Sequence, residues 1–124
     1  MSISNYAELK ILDHTTGRSS WTAPSAVYLK LHTADAGEDG TSFPATNTSR
    51  QAVTFSAASS GSIASNATVT WTNVSTTETY SHWSLWDSAG PTGGNCLWTG
   101  ALSSSASVVA GDTFQITSLT LSLD

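Results

Sequence analysis

Between Val27 and His32 the chain alternates strictly: Val27, Leu29 and Leu31 take one side, Tyr28, Lys30 and His32 the other. A period of two is the mark of a half-buried β-strand, and it places His32 on the outer face. Thr68–Thr72 alternates in the same way, with Val69 and Trp71 inward. A shorter strand carries Val53 and Phe55 on one face. In the segment from Glu78 to Asp87, His82, Ser84 and Trp86 share one face and Trp83 and Leu85 the other. Apolar residues on both faces predict a central strand, or one with a face turned to another chain. Cys96–Leu102 reads as its return strand after the turn Ser88-Ala89-Gly90-Pro91-Thr92-Gly93-Gly94. Ser103–Gly111 reads as a connection of small residues. Near the end, Phe114 and Ile116 have one parity and Leu119, Leu121 and Leu123 the opposite one. A turn or bulge must therefore interrupt the chain near Thr117-Ser118.

The N-terminal segment breaks this rhythm. Tyr6, Leu9 and Leu12 recur at helical spacing, and Ser4 or Asn5 can cap a helix there. Glu8 lies three residues after Asn5, the capping-box offset, and Gly17 is a suitable stop. A strand with Leu9 and Ile11 alternating competes with this helix, which is the preferred reading. Residues 34–49 form a long acidic loop containing glycine. Loops beyond about 12–15 residues in compact domains tend to be functional, so this one is the first candidate for a contact arm. Turn signals every ~8–12 residues point to a sandwich or barrel. The expected fold is mainly β: an antiparallel, jelly-roll-like sandwich of about seven strands with one short N-terminal helix. A single domain spans 1–124, with the helical segment at 1–20.

Composition narrows the function. Of 124 residues only 10% are charged, against about 25% in typical domains. Five Trp residues argue against disorder. The net charge is −5, and Lys10, Arg18, Lys30 and Arg50 are scattered. Without a basic cluster, nucleic acid and anionic membrane surfaces are poor partners. The lone Cys96 cannot form an internal disulfide. The first residues lack the basic start and apolar run of a secretory signal, and no apolar stretch approaches the ~20 residues of a transmembrane helix. Synthesis and assembly in a cytoplasm are expected.

Candidate chemistry is sparse. His14, His32 and His82 are far apart, no Gly-x-Ser-x-Gly elbow occurs, and no catalytic constellation is legible. The run Asp35-Ala36-Gly37-Glu38-Asp39-Gly40 offers carboxylates to a hard cation, yet its spacing fails the EF-hand pattern, and a solvated polar turn is the expected reading. No enzyme, metal or cofactor is expected. Trp71 and Trp83 alternate with apolar neighbours and read as core. Trp21, Trp86 and Trp98 are candidates for exposure, as a subunit interface or a sugar platform.

The string Tyr6…Leu9…Ile11-Leu12-Asp13-His14, then Trp21-Thr22-Ala23-Pro24…Val27-Tyr28-Leu29-Lys30-Leu31-His32-Thr33-Ala34-Asp35-Ala36-Gly37, resembles a family of short tailed-phage virion proteins. Arg50–Phe55, His82–Asp87, Gly93-Gly94-Asn95, Gly100-Ala101-Leu102 and Gly111–Phe114 continue the likeness almost to the end of the chain. It departs from the family at Ala36, where Pro is common, and between Asp39 and Ser49. Such proteins are described as tail-fibre or capsid decoration (cement) proteins. The resemblance implies neither cofactor nor reaction. The reading that follows is a capsid decoration protein acting as a homo-oligomer, a trimer, against the major capsid protein. The alternative is a tail-fibre or adsorption component binding host glycan among tail proteins. An independent lectin is a third reading. The candidate interface residues are Tyr6, Trp21, His32, Asp35, Glu38, Asp39, Phe43 and Trp86.

Overall fold

The computed structural model describes residues 1–123. In chain order its elements are β1 (Ser2–Ile3), α1 (Asn5–Thr15), β2 (Val27–His32), β3 (Gln51–Val53), β4 (Ser62–Ala64), β5 (Val69–Trp71), β6 (Glu78–Trp86), β7 (Cys96–Val108), β8 (Phe114–Ile116) and β9 (Thr120–Ser122). The fold is mainly β and every ladder is antiparallel. A five-stranded sheet runs in the order β1-β7-β6-β2-β3, and two short ladders, β4-β9 and β5-β8, complete a sandwich-like arrangement.

The core lies between the sheet and the ladders. Leu29 opposes Leu85 and Leu31 opposes Trp83 across β2 and β6, and all four are buried. Against them pack Val69 and Trp71 from β5, Ile116 from β8 and Leu121 from β9. The Phe114 ring links the layers, 5.8 Å from Trp71 and 5.2 Å from Tyr80 between centroids. Edge-on and tilted pairs of this kind favour the ring quadrupoles beyond the area they bury.

The helix forms where expected, with a different capping pattern. Ser4 is the N-cap and its Oγ accepts from the Ala7 amide, while Glu8 stands one position past the capping-box site. At the other end Gly17 takes φ +75°. The Arg18 amide donates to Asp13 O and the Gly17 amide to His14 O, the paired bonds of a Schellman stop. Ser4 also ties the helix to the sheet: its amide and hydroxyl donate to Leu97 O and Cys96 O. Of the helix only Ala7 is buried. Leu9 and Leu12, whose spacing signalled the helix, are 66% and 60% exposed.

Four sequence expectations change. Nine strands form among the described residues instead of about seven, β1 and β4 being the additional ones, while the expected break near Thr117-Ser118 separates β8 from β9. β1 was not anticipated, being only two residues long. Ser103–Val108 is strand and not connection, since β7 runs on to Val108 against β6. That pairing has a large irregularity: Tyr80 faces Ala106 while His82 faces Ala101, so Leu102–Ser105 bulges from the ladder. The fourth change concerns the second face of the sheet.

Candidate contact surface and the buried network beneath it

On that second face Tyr28 opposes Trp86, Lys30 opposes Ser84 and His32 opposes His82. Alternation placed His32 outside. Instead, His32 and Ser84 are fully buried and Trp86 is 6% exposed. The cause is the loop after β2, which folds back over the sheet instead of projecting as a free arm. Thr33 N donates to Phe43 O, Ser42 N to Ala36 O and Ala45 N to Leu31 O. Asp35 Oδ1 accepts from the Gly37 amide and Asp39 Oδ1 from the Thr41 amide, so two of the acidic residues brace the loop's own turns. The bonds from Thr41 hold the Asp39 carboxyl below its ordinary range.

Beneath the loop the polar groups satisfy one another. His32 Nδ1 lies 2.8 Å from Ser42 O, an acceptor, so the proton sits on Nδ1. Nε2 is then the acceptor for the Ser84 hydroxyl at 2.7 Å, and Ser84 Oγ in turn accepts from Trp86 Nε1 at 2.7 Å. Serine beside an oriented histidine is the pairing of nucleophilic catalysis. Here both partners are closed to solvent, and the pair fastens the loop to the sheet. Burial, the largest influence, holds the His32 pKa below the usual histidine range. Burial likewise pushes the Cys96 thiol up to about 12, so this cysteine is unreactive.

A pH dependence follows. The unfolded chain takes up a proton on His32 at its ordinary value, near pH 6.5, while the folded chain resists until lower pH. Stability is therefore complete above that pH and declines as pH falls toward the folded pKa, by at most about 1.4 kcal/mol per pH unit for one group. Urea denaturation at pH 7.5, 6.5 and 5.5 should show this decline, and His14→Asn and His82→Asn variants should retain it. A flat profile would show that the loop tolerates a charged imidazole.

The structure draws several of the other candidates together at the N-terminal end of the helix. The Asn5 amide donates to Glu38 O, joining helix to loop. Tyr6, Glu38, Asp39 and the edge of Trp86 line one cleft of about 260 Å³. Trp21 packs edge-on against Tyr6 at 6.3 Å, and both line a neighbouring cleft with Lys10 and Asp87. Trp98 is half-buried against the core. Phe43 stands apart, 62% exposed and at φ +47°, a conformation that disfavours any residue with a Cβ. The loop's hydrogen bonds hold it there, and no sequence signal marks the strain. Phe43 is among the candidate interface residues, whereas Leu9 and Leu12, exposed on the helix, are not: their spacing signals a helix without saying which way its apolar side faces.

The family model described as podophage GP4 fiber I protein gp80 matches residues 2–124. No curated protein matches the chain.

Proposed function

Because the chain belongs to the podophage GP4 fiber I protein gp80 family, and is thus a structural component of a phage virion, we propose that it is a fibre subunit of the tail, held by surface burial and not by chemistry. The observation that carries this reading is Phe43, a large apolar side chain held out to solvent in a strained backbone conformation by a braced loop. Strain of that kind, costing about 1–2 kcal/mol, is retained where it serves a contact. Leu9 and Leu12 add apolar surface on the helix, and Tyr6, Trp21, Asp35, Glu38 and Asp39 supply the aromatic and polar remainder. His32 and Trp86 act from beneath by fixing the loop. The partners are further copies of the chain, as a trimer, and tail proteins.

A gold-labelled copy in electron micrographs tests the location. Label on the tail supports the fibre reading; label over the shell replaces it with capsid decoration. The contact itself is tested by Phe43→Gly, which removes the anchor and relieves the backbone. Stability should stay within about 1 kcal/mol of the parent, while occupancy in purified particles falls at least ~tenfold, as for a central anchor. Full occupancy would remove Phe43 from the interface.

A further inference from the structure

Arg50 is a buried cation without a carboxylate partner among the described residues. Its side chain is 8% exposed, and the one ion pair among the described residues joins Arg18 to Asp13. Nη1 donates to Ser88 O and Gly93 O, each at 2.9 Å, and the Trp86 ring lies 4.1 Å from Cζ. Nε is closed to solvent, and among the described residues neither Nε nor Nη2 has an acceptor. The Nε–Nη2 edge, the fork with which arginine meets carboxylates, is thus unused.

Arg50 forms one wall of a cleft of about 360 Å³, bounded by residues 46–49, Ser75 and the turn at Ala89 and Pro91. Two carboxylates near the site are already engaged. Glu78 accepts from the Thr46 and Asn47 amides, and Asp87 from Asn95. What the cleft offers a ligand is one positive charge, side-chain hydroxyls and an amide.

We propose that this cleft binds a carboxylate-bearing sugar, a uronic-acid type, with its carboxylate on Arg50 Nη2 and its hydroxyls on those of Thr46, Thr48 and Ser75. The carboxylate is placed on Nη2 because Nε is closed to solvent. A peptide would want an apolar pocket for an anchoring side chain, and the only apolar residues bounding the cleft are the small Ala89 and Pro91 of the turn. A phosphate would bring about −1.5 to −2 charges beside Glu78 and Asp87, whereas a carboxylate brings one. The inference concerns a ligand and goes beyond the place of the protein on the particle.

The test titrates the purified protein with galacturonate, galactose and inorganic phosphate, following amide resonances by NMR. Galacturonate should shift Thr48 and Ser75 with a Kd on the order of 1 mM, at least ~tenfold tighter than galactose or phosphate. Arg50→Lys should weaken binding ~tenfold. Should that variant fail to fold, Ser75→Tyr, which fills the cleft from an exposed position, should abolish the shifts. Equal binding of galactose, tighter binding of phosphate, or unchanged binding in Ser75→Tyr would overturn the inference. A silent titration removes the sugar site and leaves the fibre assignment standing; label over the shell does the reverse.

Discussion

Trp71→Ala should lower unfolding free energy by about 3–5 kcal/mol, the range for deleting a large buried aromatic. Trp71 is 1% exposed, pairs with Phe114 across β5 and β8, and lies in the cluster with Tyr80 and Val74. Truncation would empty the space between sheet and ladder. It would also leave Ser49 O without the indole N–H that now donates to it at 3.0 Å. Domains are stable by only about 5–15 kcal/mol, so this loss brings the protein near its unfolding threshold. Urea denaturation with an unchanged m-value would report it. Trp71→Phe, which keeps most of the volume, should cost about half as much. A loss under ~1 kcal/mol for the alanine variant would mean that the short ladders collapse inward to fill the gap.

The second large effect is expected at Gly40. A Cβ there would stand 2.5 Å from Cys96 Sγ and 2.9 Å from Trp86 Cζ2, and the backbone is at φ +72°. Gly40→Ala therefore combines a left-handed penalty of about 1–2 kcal/mol with overpacking of about 1–3 kcal/mol. Gly17→Ala separates the two: it shares the left-handed backbone at φ +75° but meets nothing within 4 Å. Thermal melts should rank the parent above Gly17→Ala, and Gly17→Ala well above Gly40→Ala. Because Gly40 seats the loop over Trp86, its replacement should also speed amide exchange at Ser42. Equal melting temperatures for the two variants would show that the loop lifts at little cost.

The parts of the fold legible in the sequence are those governed by local physics. Ser4 and Gly17 bracket the helix because capping and left-handed stops are decided within a few residues. Val69 and Trp71 alternate into the core. The parity clash after Ile116 announced the break between β8 and β9. What alternation does not state is which cover lies over a face. Lys30 and His32 look like a solvent face, and Trp86 beside His82 looks like a possible interface. Only the long-range return of residues 34–45 onto β2 turns that face into an interior. The contact surface was legible only in part for the same reason. Phe43 is one phenylalanine in a loop until a backbone angle and neighbouring hydrogen bonds set it outward. Arg50 is one scattered cation until the turn at Ser88–Gly93 closes over it.

The outer edge of β7 joins β1 only at Trp98 and Thr99. Beyond that point β7 has no strand partner on this side among the described residues, and an unpaired margin is the template on which stray chains add strand after strand into fibrils. Wherever many copies crowd together, that margin is a hazard. The excursion at Leu102–Ser105 interrupts it midway, and the serines there are poor recruits for such growth. A neighbour reaching this margin finds no straight rail to follow, so strand-by-strand growth from this edge is disfavoured.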